Sequence, residues 1–386
     1  MRDATGWLFP SVLVLTIVML VVMTTPPTSR GLRYEPELEA LAEPTRVDVG
    51  AEPFVIISPD IDADGWPDIV VTELGNGTVS VVKNLGGEDF APLTSYPLGS
   101  GVFGVVPTDL NGDSVVDLVI SNERTDMLTL LLNDGSGTFS SRQDVRTGSG
   151  PHVIAVADFD GDSLDDIASP DYHVNSVSVM RNRGDGTFEE PERYAVHGQP
   201  FSALAADFDG DGSPDIATTS YSEGYLDILW NDGKGHFGSR SSFEVGPELW
   251  SLAAADLTGN GLPELIATRY SSGTVTVFSN RGGGSFQRAD DYLTGGGGPC
   301  WVTPFELDGD DHLDLAVVDG YAHTLTVLRN RGDGTFRDKA VFPTGKGPSS
   351  LTTADFNGDG HDDLAVANWQ SDEVMIFLNS TQGPNE

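Results

Sequence analysis

The sequence predicts an all-β fold: a seven-bladed β-propeller of four-stranded antiparallel blades, preceded by an N-terminal apolar helix. Three observations lead there. One short acidic loop recurs seven times, starting at Asp60, Asp109, Asp158, Asp207, Asp256, Glu306 and Asp355, with successive starts 49 or 50 residues apart. A period of this length belongs to a repeat array, not to a string of independent domains. A Gly-rich turn recurs once per period. Finally, the last copy of the repeat stops early, and a fragment matching the missing piece stands at the front of the chain.

The first element is the nearly uncharged run from Trp7 to Met23. It is short for a membrane span and long for a signal-peptide core. No small-residue cleavage site lies directly after Met23. Ala40-Leu-Ala42 has that pattern but lies far downstream. Residues 1–30 therefore read as a signal peptide or an uncleaved signal anchor, and either exports the rest of the chain. Residues 31–45 read as a linker, 46–380 as the propeller and 381–386 as a tail.

The third unit shows how one blade is built. Pro151 to Asp158 is a small, apolar first strand, and the acidic loop comes next. Asp166 to Asp171 is the second strand, and Ser176-Val-Ser-Val-Met180 alternates as a third. The turn Asn182-Arg-Gly-Asp-Gly-Thr-Phe188 leads to a fourth strand around Glu192 to Val196. Four antiparallel strands per period make a propeller blade. The turn recurs at Asn84, Asn133, Asn231, Asn280 and Asn330. Its glycines supply the positive φ of a tight hairpin, and its Phe is expected to pack between blades. The seventh unit ends after Val374 to Leu378 without a fourth strand. Arg46-Val-Asp-Val-Gly50 precedes the first loop where every other boundary has one. The segment 46–52 is therefore expected to close the last blade, which leaves no open edge between first and last repeats.

Composition bounds the function. The formal net charge is −38, which disfavours nucleic acid and anionic membrane surfaces as partners. Much of that charge sits in the recurring loops. Cys300 is the only cysteine, so no intrachain disulfide forms; it is expected to be a small buried residue. Two Arg-Gly-Asp triplets, at Arg183 and Arg331, fall inside the turn, whose frame already explains them. Asn76 and Asn379 begin glycosylation sequons.

The loops have the chemistry of Ca²⁺ sites. Calcium takes six to eight oxygens in flexible geometry, and carboxylates at alternate positions of a tight loop can turn inward together. Positions 1, 3, 5 and 9 supply side chains, position 7 a backbone carbonyl, and a Gly at position 6 the sharp bend. There is no Glu at position 12 and the flanks are strands, so these are not EF-hands. The first loop (Asp60, Asp62, Asp64, Asp68), third (Asp158, Asp160, Asp162, Asp166) and fourth (Asp207, Asp209, Asp211, Asp215) carry four Asp each. The second (Asp109, Asn111, Asp113, Asp117) and seventh (Asp355, Asn357, Asp359, Asp363) replace one carboxylate with an amide. The sixth (Glu306, Asp308, Asp310, Asp314) begins with Glu and has Asp311 at position 6. The fifth (Asp256, Thr258, Asn260, Glu264) has only two carboxylates, and fewer charges mean weaker binding. Up to seven Ca²⁺ are expected, with the fifth site the poorest.

The loops of the form Asp-Phe-Asp-Gly-Asp-Gly-x-x-Asp-Ile and the turns Asn-x-Gly-Asp-Gly-Thr-Phe resemble FG-GAP/VCBS repeats, the units of the integrin α-subunit propeller and of many secreted bacterial proteins. The resemblance spans roughly Arg46 to Asn379. It implies a propeller fold and Ca²⁺ bound between the first and second strands of a blade. It does not imply an activity, since the same scaffold carries adhesion, lectin and lyase functions.

The opposite face is expected to be aromatic. Loops from strand four to strand one contribute Phe54, Phe103, His152, Phe201, Trp250 and Trp301; those from strand two to three contribute Tyr172, Tyr221, Tyr270, Tyr321 and Trp369. Such rings suit sugars or a protein hot spot, or else plug the channel of the propeller. No Walker loop or Gly-x-Ser-x-Gly motif is present, and His152, His173, His323 and Asp171 show no triad spacing. The expected function is that of an exported calcium-binding module recognising carbohydrate or protein, secreted or held at the membrane by its N-terminal segment. The alternatives are a carbohydrate-active lyase or hydrolase on the same face, and a structural membrane-anchored ectodomain.

Overall fold

The second strand of each unit is a short, nearly continuous run of small and branched residues, and its burial explains why it does not alternate. Asp117–Asn122, Asp166–Asp171 and Asp215–Ser220 are buried at every position, as expected of strands sandwiched between two neighbouring sheets. The outer strand Ser239–Glu244 has no buried position. The computed structural model describes residues 33–34, 41–87 and 89–380, and these residues form seven antiparallel meanders.

Blade 3 is made of Ala155–Ala157, Asp166–Asp171, Ser176–Met180 and Glu192–Ala195, paired in chain order. Blades 1, 2, 4, 5 and 6 repeat this order. The turn between third and fourth strands has Gly184 at φ 74° and Gly186 at φ 78°, a backbone region that a Cβ disfavours. Apolar clusters fill the spaces between blades. One packs Phe159, Ala168 and Val179 of blade 3 against Ile216, Leu229 and Phe237 of blade 4. The turn Phe residues do reach across blades: Phe139 meets Tyr96 at 5.4 Å, and Phe336 meets Tyr292 at 5.0 Å.

The seventh blade comprises Pro348–Ala354, Asp363–Asn368 and Glu373–Phe377. Its outer strand is Thr45–Asp48, antiparallel to Glu373–Ile376. Residues 49–52, read from sequence as part of that strand, turn into blade 1 instead, with Glu52 at φ 58°. The inner strands also join: Ser349 Oγ donates to Phe54 O at 2.8 Å, and Ile56 N donates to Ser350 Oγ at 3.0 Å. The stretch expected as a linker is partly built in. Leu41 bridges Asn379 and Ala42 N donates to Leu378 O at 2.8 Å. Arg33–Tyr34 pairs parallel to Asp338–Lys339 as a fifth strand on blade 6. Periodicity gave no hint of that strand, because it belongs to no repeat. The Trp7–Met23 run lies outside the described residues; among them, no helix is long and apolar enough to cross a membrane.

Candidate metal loops and the aromatic plug

Each acidic loop joins the first and second strands of its blade, and its shape is set by its own carboxylates. In the fourth loop Asp207 Oδ1 accepts from Gly210 N at 2.7 Å and Asp211 N at 3.1 Å, and Oδ2 from Gly212 N at 2.9 Å. The position-5 side chain turns back on its own loop: Asp211 Oδ1 accepts from Ser213 N, as Asp64 does from Trp66 N and Asp359 from His361 N. Position 6 keeps a positive φ even without Gly, at Ser114 (66°), Ser163 (73°) and Asp311 (63°).

Three oxygens converge to within 4.8 Å of one another in four loops. The donors are Asp60, Asp62 and Asp68; Asp158, Asp160 and Asp166; Asp207, Asp209 and Asp215; and Glu306, Asp308 and Asp310. Positions 1, 3 and 9 thus converge in the first, third and fourth loops, and positions 1, 3 and 5 in the sixth. In the second, fifth and seventh loops Asn111, Thr258 and Asn357 occupy position 3, so a set of positions 1, 3 and 9 there would include an amide or hydroxyl oxygen. These clusters could hold metal ions. Asp62 Oδ1, Asp160 Oδ1, Asp308 Oδ1 and Glu264 Oε1 are buried and accept no hydrogen bond. A hard cation would satisfy such acceptors, so the donor set fits one.

Position 9 is the buried end of the site. Asp215 Oδ2 accepts from Phe208 N at 3.1 Å and Oδ1 from Asn231 N at 2.8 Å. Burial pushes its carboxyl up to about 7, the two backbone N–H groups oppose this, and the nearby Asp209 and Asp211 charges add to it. Asp166 is pushed up to about 7, and Asp68 and Asp363 to about 6, with burial again the first cause.

Sequence reasoning missed the residue that links these loops. The Asn opening each Gly-rich turn donates through Nδ2 to the position-2 carbonyl of the preceding blade's acidic loop. Asn133 reaches Ile61 O at 2.6 Å, Asn182 reaches Leu110 O at 3.2 Å, and Asn231 reaches Phe159 O at 2.8 Å. Asn280 reaches Phe208 O, Asn330 reaches Leu257 O, and Asn379 reaches Leu307 O. Asn84 completes the circle at Phe356 O, 2.9 Å away on the seventh blade. The recurrence of this Asn was visible, but its partner lies about one and a half periods back. Of the two sequon residues, Asn379 has its amide buried and in use in the folded chain, whereas Asn76 is exposed. Both Arg-Gly-Asp carboxylates are engaged within their turns, Asp185 by the N–H and hydroxyl of Thr187, and Asp333 by those of Thr335.

The aromatic residues meet as a near-continuous plug. Phe54 packs on Phe103 at 4.7 Å, Phe103 stacks on His152 at 4.2 Å, and His152 lies 4.8 Å from Phe201. Phe201 meets Trp250 at 4.7 Å, Trp250 stacks on Tyr270 at 5.2 Å, and Tyr270 meets Tyr321 at 4.8 Å. Of the candidate ligand residues, His152, Tyr172, Phe201, Trp250 and Tyr270 are buried; Tyr221, Trp301 and Trp369 are half-buried; Tyr321 is 46% exposed. Burial holds the imidazole of His152 down at about 3. Asp171 is buried too, and accepts from the hydroxyls of Ser176 and Ser178, each at 2.7 Å. Cys300 is buried and free, as expected.

The sequence profile of the FG-GAP-like repeat matches residues 60–120, 109–169, 168–218, 207–267, 256–317 and 306–366. No curated protein sequence matches the chain. Among solved structures, a lectin from Agrocybe aegerita described as recognising non-reducing terminal N-acetylglucosamine is 21% identical, with TM-score 0.55, over 83% of this chain and 86% of that one. Virginiamycin B lyase from Staphylococcus aureus is 11% identical, with TM-score 0.61, over 87% of this chain and 98% of that one. BBS1N, solved in complex with ARL6DN, is 11% identical, with TM-score 0.64, over 89% and 98%. At these identities the likeness is one of fold.

Proposed function

The chain belongs to the FG-GAP-like repeat family, and from that premise we propose that it is an exported, calcium-stabilised propeller that acts as a binding or adhesion module. One observation carries the metal half of this reading: the same acidic loop stands in all seven blades, with three oxygens convergent in four of them. Calcium is the ion that suits an all-oxygen donor set in a flexible loop. Such loops, at the affinities of extracellular modules, about 10⁻⁴ to 10⁻³ M, fill outside the cytosol and stay empty within it. That supports reading Trp7–Met23 as an export segment.

The binding half rests on the aromatic end of the channel. Tyr321 is open to solvent, with Trp301 half-buried on the same blade and Tyr221 and Trp369 half-buried on others, and stacking rings of this kind suit sugar faces or a protein hot spot. The lectin with the same fold supports carbohydrate as the first class to test. His152 and Asp171 are buried and do not reach solvent at this end. Glycan-array binding of the propeller with calcium and with EDTA tests the proposal. Selective binding that Tyr321→Ala abolishes is the expected result. Binding indifferent to Tyr321→Ala and to Trp369→Ala rules out this face. N-terminal sequencing separates a secreted chain from an anchored one, and an intact cytoplasmic chain overturns export.

A further inference from the structure

The residue just before each clamp Asn lies at or next to the C-terminal end of the third strand, and it is not the same in every blade. In blades 1, 3 and 6 it is a cation: Lys83, Arg181 and Arg329. Each faces the position-3 carboxylate of its own loop. Lys83 Nζ lies 2.9 Å from Asp62 Oδ2, Arg181 Nε lies 3.9 Å from Asp160 Oδ2, and Arg329 pairs with Asp308. The three side chains are only 29%, 20% and 23% exposed, so their charges act on the loop with little screening by water. Two of them also hold the next blade's turn: Lys83 donates to Ser136 O, and Arg181 to Gly235 O at 3.0 Å.

The distribution tracks charge. The first, third and sixth loops have four carboxylates at positions 1, 3, 5 and 9, and each has a cation. The second and seventh have three carboxylates, and the equivalent residues are Leu132 and Leu378. The fifth has two, beside Ser279. A cation thus brings three of the four-carboxylate loops to the formal charge of the three-carboxylate loops. The fourth loop is the exception: it has four Asp, and its neighbour is Trp230, whose indole N–H is donated to Ser241.

We propose that Lys83, Arg181 and Arg329 are built-in counter-cations, which hold the first, third and sixth loops in shape without metal and weaken their affinity for calcium, leaving the fourth loop as the tightest site. This rests on the reading of the loops as calcium sites. The cation holds Oδ2 of the same position-3 carboxylate whose Oδ1 a metal would need, and its charge repels the metal itself. Where no cation stands by, calcium gains the whole attraction of the four carboxylates.

The test uses the full chain stripped with EDTA and titrated with CaCl₂ in a calorimeter, alongside melts in EDTA. Lys83→Leu installs the residue of blades 2 and 7. It is expected to tighten one weak site by about tenfold or more and to lower Tm in EDTA. Trp230→Lys makes the opposite change, and is expected to remove the tightest step of the isotherm by a similar factor; it decides the matter if Lys83→Leu does not fold. Calcium uptake with both isotherms unchanged overturns the counter-cations alone. No calcium uptake by the unsubstituted chain overturns the calcium reading and this proposal with it.

Discussion

Asn231 holds two blades with one amide. Its Nδ2 donates to Phe159 O and Pro214 O, and its Oδ1 accepts from Gly233 N and Gly235 N. Removing it strands Phe159 O and Gly235 N, whose bonds to it are buried. Asn231→Ala is expected to cost about 1–3 kcal/mol, read from urea unfolding; a loss within experimental error would mean that the turn holds without its clamp. His152 makes a different prediction, because its effect depends on pH. Its imidazole is buried between Phe103 and Tyr172, and its folded pKa of about 3 lies below the ordinary 6.5. The group therefore favours the folded state fully above pH 6.5, and that advantage is lost as pH falls from 6.5 toward 3. At pH 5 the loss is about 2 kcal/mol. His152→Phe installs the residue found at the corresponding place in three other blades, as Phe54, Phe103 and Phe201. The variant should match the parent at pH 8 and exceed it in Tm at pH 5. Identical pH profiles would remove His152 as a source of acid sensitivity.

At the scale of elements, the strand Thr45–Asp48 completes a blade out of chain order. It joins residues more than 300 positions apart, and with Leu41 it buries Val47 and closes the last blade. Deleting residues 41–48 removes the buried Leu41 and Val47 side chains and exposes the edge of Glu373–Phe377, at a cost of about 3–6 kcal/mol from the lost apolar burial alone. Every blade is packed on both sides, so the melt should move down as a single transition. A separate early transition, with the rest unmoved, would mean that the seventh blade is an independent unit. The truncated last repeat made this strand legible, because a period with a missing member points to where the member must be. Other parts were not legible, for physical reasons. The pair Arg33–Tyr34 lies outside the periodicity and is placed only by the free edge of blade 6. Phe201 and Trp250, read from sequence as loop residues, lie in the first strands Pro200–Ala206 and Leu249–Ala255, and they are buried against each other's rings across two blades, which no local pattern records. The clamp made by Asn133 depends on Ile61, 72 residues away, a distance set by the rotation between blades. The acidic loops were legible residue by residue, since their ligand spacing is local. Their positions 1, 3 and 9 converge in three loops, while the position-5 oxygen is spent on its own turn in loops such as the fourth.

The molecule as a whole carries a formal charge of −38, and the ring concentrates carboxylates at seven places around one circle. Without metal, each cluster repels itself and its neighbours, and the folded state bears more of that strain than the expanded chain does. Seven bound Ca²⁺ would supply fourteen positive charges, taking −38 to −24. Two consequences can be measured together. Calcium should raise Tm and EDTA should lower it, since a ligand of the native state stabilises by about 2.7 kcal/mol per site at a hundredfold excess over its Kd. Added NaCl should then separate specific binding from general repulsion. Screening shortens to about 3 Å at 1 M salt, so the EDTA-treated protein should regain part of its lost Tm, and the calcium-loaded protein, whose clusters are already partly neutralised, should gain less. If salt restores the whole loss, calcium acts only as a counterion and the convergent oxygens of the loops have no site-specific role. If Tm is the same in calcium and in EDTA at low salt, the ring does not depend on metal, and the carboxylates serve their own loops through backbone hydrogen bonds such as those of Asp207.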